Sequence, residues 1–247
     1  MRIAFYSYKG GTGRTMLLAN IAVYLANIGK RVGCIDLDLE APGIKQVFEF
    51  DNVEPNFSLI PLIENQNLSA VEKAVLKFPA DKRKKKFIYV LPTLSMSEEL
   101  DKIVFDQDTY DTIDGIMSKF EKTYNLDYLL IDSRSGFSSL ASIVLAKSDR
   151  IIIVFRPDLQ NLEGVKNLIQ ILDINNKSYS LIPSLIPRHK KEGSFLKRAE
   201  KYLECKNNWL GVIHYDPDIA IEGVLSIMHY PKKKISREYG EVASKII

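Results

Sequence analysis

Seven consecutive residues, Lys9-Gly10-Gly11-Thr12-Gly13-Arg14-Thr15, bring together glycines, hydroxyls and two cations. They stand between a short apolar run, Ile3-Ala4-Phe5-Tyr6, and a helical one, Met16 to Ala26. A strand, a glycine-rich turn and a helix in that order aim backbone N–H groups and a helix N-terminus at one anionic point. The glycines let the backbone curl round a phosphate at φ values that a Cβ would resist. The ordinary phosphate-loop pattern, G-x-x-x-x-G-K-S/T, is not met: Gly10 lies too close to Gly13, and Arg14 stands where the lysine belongs. Carboxylates follow two further apolar runs. Asp36 and Asp38 come after Val32-Gly33-Cys34-Ile35, and Asp132 comes after Tyr128-Leu129-Leu130-Ile131. Ligands of open parallel sheets gather at the carboxyl ends of the strands. An Asp placed there beside a phosphate loop is where a divalent cation is held. Taken singly, the glycine stretch also reads as a ligand-free turn, and the Asp36–Asp38 stretch as an acidic turn capping the next helix.

Those residues need a framework to converge. The helix that starts at Met16 ends near Gly29, a helix-stopping glycine, and residues 30–36 read as a second strand. Asn56 to Ile63 and Ser69 to Phe78 have helical apolar spacing, interrupted by Pro79. Phe87 to Pro92 reads as a strand by β-propensity, and Glu98 to Ile103 and Thr109 to Tyr124 as helices. The wholly apolar runs at Tyr128–Ile131 and Ile151–Phe155 mark strands buried on both faces. A helix at Leu159–Leu172 follows, then a strand at Ser180–Ile186 whose Pro183 marks an edge or a bulge. A helix near Gly193–Glu204, a strand at Trp209–Ile213 and a helix at Ser236–Ile246 complete the chain. The pattern is α/β: one three-layer α/β/α domain over residues 1–247, with a mostly parallel sheet of seven or eight strands.

The motif set resembles the ParA/MinD family of ATPases, whose deviant phosphate loop reads K-G-G-x-G-K-T/S, here in the variant form K-G-G-x-G-R-T. The resemblance runs along essentially the whole chain, and Asp132-Ser133-x-x-Gly136 matches the family's second acidic motif. It implies a P-loop fold, ATP and Mg²⁺ as cofactors, and hydrolysis of ATP. By that resemblance Gly10 to Thr15 cradle the phosphates, Arg14 takes over the usual lysine's contacts, and Met16 stands where a hydroxyl residue more often touches the α-phosphate. Thr15, Asp36 and Asp132 serve Mg²⁺, and Asp38 orients or deprotonates the attacking water. Lys9 matches the family's signature lysine, which reaches across a two-fold interface to the partner's phosphates. This implies a homodimer formed on ATP binding, with Lys9, Arg14 and Asp38 as its catalytic residues; a contact of Lys9 within its own subunit is the alternative. The base pocket falls at Pro187-Arg188 and at His214-Tyr215-Asp216.

Composition narrows the classes further. The chain is 46% hydrophobic and 26% charged with net charge +3, an ordinary globular balance with weak attraction for polyanions. Apolar runs of transmembrane length are absent from the sequence, Met1-Arg2-Ile3 enters the first strand directly, and two cysteines make neither a disulfide framework nor a metal cluster. These features fit a cytoplasmic protein. Basic runs at Lys82–Lys86, Arg188–Lys191 and Lys232–Lys234 are either solvated turns or a patch for non-specific DNA. The chain ends with its last helix, which leaves no direct membrane anchor, and no helix-turn-helix precedes the phosphate loop. The expected function is a slow ATP-driven dimer switch, positioning or partitioning a cargo on DNA and released by a protein partner that stimulates hydrolysis. The alternative is a nucleotide-binding scaffold that hydrolyses weakly or not at all.

Overall fold

The computed structural model describes residues 1–81, 85–94, 105–205 and 208–247. Seven strands form one sheet: β1 (Arg2–Tyr6), β2 (Val32–Leu37), β3 (Leu76–Pro79), β4 (Phe87–Leu91), β5 (Tyr128–Ser133), β6 (Arg150–Phe155) and β7 (Tyr179–Pro183). Their spatial order is β3-β4-β2-β5-β1-β6-β7, parallel throughout except for β3, which runs antiparallel to β4. Side chains of a strand alternate between faces, so a strand covered on both sides must be apolar at every position. In β1, Ile3 and Phe5 enter one core cluster and Ala4 and Tyr6 the other.

The helices divide between the two faces. On one lie α1 (Arg14–Asn27) and the C-terminal α11 (Lys234–Ser244), which pack together. On the other lie α5 (Gln107–Tyr124), α6 (Ser139–Lys147), α7 (Leu159–Ile174) and α8 (Glu192–Leu203). Four short helices, α2 (Ile44–Val47), α3 (Leu59–Glu64), α4 (Val71–Ala74) and α9 (Pro217–Glu222), and a last one-turn α10 (Ser226–His229), fill the connections. The three-layer α/β/α arrangement is as the sequence pattern implies.

Three local expectations change. Of the run Ser69–Phe78, only Val71–Ala74 is α-helical, after a 3₁₀ turn at Leu68–Ala70, and residues 76–79 become edge strand β3. Leu76 and Phe78 alternate with Lys77, a period of two that the preceding helical spacing masks; Pro79 ends the strand on the sheet edge, and the Ala80 N–H after it still donates to the Lys86 carbonyl at 2.8 Å. The expected strand at Trp209–Ile213 is an irregular segment joined to the β7 side by two isolated bridges, Leu181 with Trp209 and Ile186 with His214. Pro183 contributes only its carbonyl there, accepting from Ile213 N–H at 3.0 Å. Helix α6, unforeseen from the sequence, starts where the Ser138 hydroxyl accepts the N–H of Ala141. The predicted helix at residues 98–103 lies outside the described residues.

Candidate functional site

Strand register decides where the chemistry meets. In the sheet Asp36 of β2 lies opposite Asp132 of β5, and Asp132 opposite Phe5 of β1. The loop that leaves β1 therefore rises beside both acidic strand ends. In that loop Gly11 and Gly13 take φ of 70° and 77°, left-handed values that favour glycine, and Gly13 caps α1. The first turn of α1 carries no acidic side chain, so its N–H groups and dipole face the loop uncompensated. Thr12 is buried, and its hydroxyl has no hydrogen-bond partner among the described residues.

Arg14 organises the rest. Its buried guanidinium donates from Nε to Asp132 Oδ1 at 2.5 Å, from Nη2 to Asp38 Oδ2 at 2.8 Å and from Nη1 to Ser7 Oγ at 3.0 Å. Thr15 Oγ1 donates to the other oxygen of Asp132 at 2.5 Å. Burial works against the Arg14 charge, but Asp132 and Asp38 outweigh it and raise its pKa. Burial pushes the Asp132 carboxyl above its usual range, with Arg14 and Thr15 pulling the other way. Asp36 is fully buried and raised further, by desolvation first and the charge of Asp132 second. Its oxygens accept the N–H groups of Asp38 at 3.1 Å and Ile44 at 3.0 Å, which ties down the segment that carries Asp38. Gly43 lets that segment close on the site, since a Cβ there would stand 3.1 Å from Thr15 Cγ2.

The sequence residues thus fall into groups. Arg14, Thr15, Asp38 and Asp132 share one hydrogen-bonded cluster, with Gly10, Gly11, Thr12 and Gly13 in the loop above it. Met16 packs its thioether against the core beneath α1. Lys9 turns away from that cluster and donates to Gln160 at the start of α7. Of the base-pocket residues, Arg188 and His214 meet at Glu238 Oε1, and a bridge between Ile186 and His214 brings the two segments side by side. Pro187 lines an apolar recess beside α7 and α8. Arg188 pairs with Glu238 at 2.7 Å. His214 lies between Glu238, 2.8 Å from Nδ1, and Glu192, 2.6 Å from Nε2. Tyr215 is exposed. Asp216 caps α9 and takes Lys233 at 3.2 Å. The sequence reading missed Ser7, Gln160 and the ion pair of Glu40 with Arg134. Ser7 had a signal, a hydroxyl directly after β1 and facing the loop; the other contacts join segments more than ninety residues apart.

Of the basic runs, residues 82–84 lie outside the described residues, while the Lys85 and Lys86 N–H groups are held by Asp81 Oδ1. Lys233 is neutralised by Asp216 and Asp218, and Lys232 and Lys234 are exposed.

A family model described as an AAA domain matches residues 1–186, the span that holds the loop, Asp36, Asp38 and Asp132. The chain belongs to the ParA/MinD-like P-loop ATPases. Among family members, an uncharacterized ATP-binding protein of Methanocaldococcus jannaschii is 30% identical over all of this chain and 88% of its own. The septum site-determining protein MinD of Bacillus subtilis is 24% identical over 99% of this chain and 88% of its own. The fold of the cell division ATPase MinD of Pyrococcus furiosus superposes with a TM-score of 0.80 at 23% identity, covering 99% of this chain and 97% of that one. No helix among the described residues is long and apolar enough to cross a membrane.

Proposed function

We propose that the chain is an ATP-driven dimer switch with slow, Mg²⁺-dependent hydrolysis. The observation that carries this reading is the convergence of Arg14, Thr15, Asp38 and Asp132 beneath a loop with two left-handed glycines. That loop fits a phosphate: the unpartnered Thr12 hydroxyl is buried in it and the first-turn N–H groups of α1 open onto it. Thr15 and Asp132 are hard oxygen donors of the type Mg²⁺ takes. Among the described residues no three His, Cys, Asp or Glu form a cage of their own, which suits an ion held by one or two carboxylates together with phosphate oxygens. A solved MinD of Pyrococcus horikoshii carries Mg-ADP.

Mg²⁺, when bound with ATP, neutralises charge on the β- and γ-phosphate oxygens. The chain's own residues supply position. Backbone N–H groups of residues 10–15 hold the β-phosphate. Asp132 and the Thr15 hydroxyl hold the cation, and Asp36 keeps the Asp38 segment in place through two backbone N–H groups. Asp38 receives a proton from, or orients, the attacking water once Arg14 releases it. Arg14 moves from the two carboxylates to the phosphates, a transfer between anionic partners that keeps its charge paired. Lys9 exchanges Gln160 for phosphate oxygens of a second copy, so that the nucleotide joins the two subunits. On the outside, exposed Lys232 and Lys234 are the cations through which the switch would hold DNA while it positions a cargo.

One observation favours the scaffold reading: Arg14 occupies Asp38 and Asp132 together, so turnover requires both ion pairs to open. Steady-state ATP hydrolysis combined with light-scattering mass, in Mg-ATP and Mg-ADP, separates the two. Slow turnover lost in Asp38→Ala, with a dimer only in ATP, supports the switch. Tight nucleotide binding with no turnover in either protein supports the scaffold.

A further inference from the structure

Beside the phosphate loop a second concavity of about 500 Å³ opens between α7 and α8. Leu162 and Ala199 form its floor and Leu185 one wall. Leu162 and Ala199 belong to the core on the sheet face opposite α1, whereas Met16, next to which the α-phosphate would lie, packs on the α1 face. The cavity floor thus lies on the face opposite Met16, while its wall residue Leu185 stands beside Gly13 and its Pro187 belongs to the base pocket that the resemblance implies, so competition by ADP is one arm of the test.

The rim is apolar as well. Leu159 is 79% exposed, Tyr202 40% and Phe195 38%, and all three border the opening. Soluble monomers rarely leave contiguous apolar surface of this kind uncovered. Because these lining side chains are open to solvent at the rim, the surface suits a polypeptide segment with one bulky side chain in the recess and its flanks on the rim. Charge sets the character of those flanks. Arg156 and Arg198 line the mouth, both exposed, and neither has an ion-pair partner among the described residues. The one carboxylate there, Asp158, is already committed: it caps α7 through the Asn161 N–H, and it lies in the field of Lys9 and Arg156. Two guanidinium groups over an apolar floor select carboxylates beside an apolar anchor.

We propose that this groove docks an acidic, apolar-anchored segment of a protein partner. The site lies one residue from the Gln160 contact of Lys9, and it stands on the groove alone, whatever the rate of ATP hydrolysis.

A phage-displayed random peptide library selected against the full chain tests this, with the best sequence then made as a fluorescein-labelled peptide and titrated by anisotropy. The expected sequences carry a Leu, Phe or Trp anchor flanked by Asp or Glu. Binding should weaken about ten-fold or more in Arg156→Glu/Arg198→Glu, and similarly in Tyr202→Ser, with thermal unfolding unchanged in both and no displacement by ADP. The proposal is overturned if no sequence is enriched, if the sequences lack acidic flanks, or if they bind the double variant equally well. Displacement by ADP would instead mark a base pocket, and loss of an ATP-dependent dimer in the double variant would mark a face between copies; either result overturns it too.

Discussion

At the phosphate end of the sheet, three side chains from three segments, Ser7, Asp38 and Asp132, meet on the Arg14 guanidinium, each within hydrogen-bond distance. At the base end, the five residues grouped by sequence divide among a groove wall, a helix cap, an exposed ring and two side chains hydrogen-bonded to Glu238. The difference lies in how each kind of recognition is built. Phosphate is held by backbone curvature and a helix N-terminus, which contiguous residues determine. A base is held by side chains that tertiary packing brings together, so spacing along the chain says little about them. The family match, over residues 1–186, covers the first end and stops at the second.

If the phosphate end is the more tightly coupled, its loss should be the more costly. Asp132→Ala leaves Arg14 with half its buried charge partners and strips Thr15 of its acceptor. The expected loss is about 3–5 kcal/mol in urea unfolding. Gly164→Ala tests the support behind the loop: a Cβ at Gly164 would stand 2.2 Å from the Tyr8 ring. About 1–3 kcal/mol of stability should go, together with affinity for nucleotide, since Tyr8 adjoins Lys9. At the base end, Glu238→Gln keeps the shape but removes the charge that serves Arg188 and His214. A smaller loss, about 1–2 kcal/mol, is expected there. Equal costs for Asp132→Ala and Glu238→Gln in the same denaturation series would break the comparison.

The smallest effect belongs to a remote control. Asp114 pairs with Arg2 and Lys147; burial raises its pKa, but those two hydrogen-bonded cations outweigh it and the net shift is downward. A carboxylate depressed in the folded state adds stability above its unfolded pKa of about 3.9, and that stability is lost as pH falls through the folded value. Asp114→Asn should therefore cost up to about 1 kcal/mol at pH 7, and the gap to the parent protein should close in acid. Its nucleotide affinity should match that of the parent, because these residues lie at the opposite end of β1 from the loop.

The same contrast explains what could be read from the chain. The glycine loop, Asp132 and the doubly buried strands were legible because local geometry and period dictate them. Asp38 stands within hydrogen-bond reach of Arg14, and nothing in the spacing showed that Arg14 would bridge it to Asp132. Asp36 serves Mg²⁺ only by the family resemblance; no local signal showed that its oxygens accept two backbone N–H groups. Strand β3 was hidden because Leu76 and Phe78 also continue the helical spacing of the preceding turn. The partners of His214, Glu192 and Glu238, sit 22 and 24 residues away on two different helices, beyond any local signal.

The central claim is that Thr15 and Asp132 hold Mg²⁺ against phosphates cradled by residues 10–15. Calorimetric titration of ADP, with and without Mg²⁺, into the parent protein and Thr15→Val tests it most directly. The account predicts binding that Mg²⁺ strengthens in the parent, and a loss of about ten-fold in the variant confined to the Mg²⁺ condition. Affinity that is indifferent to Mg²⁺ in the parent, or unchanged by the loss of the hydroxyl, would contradict it.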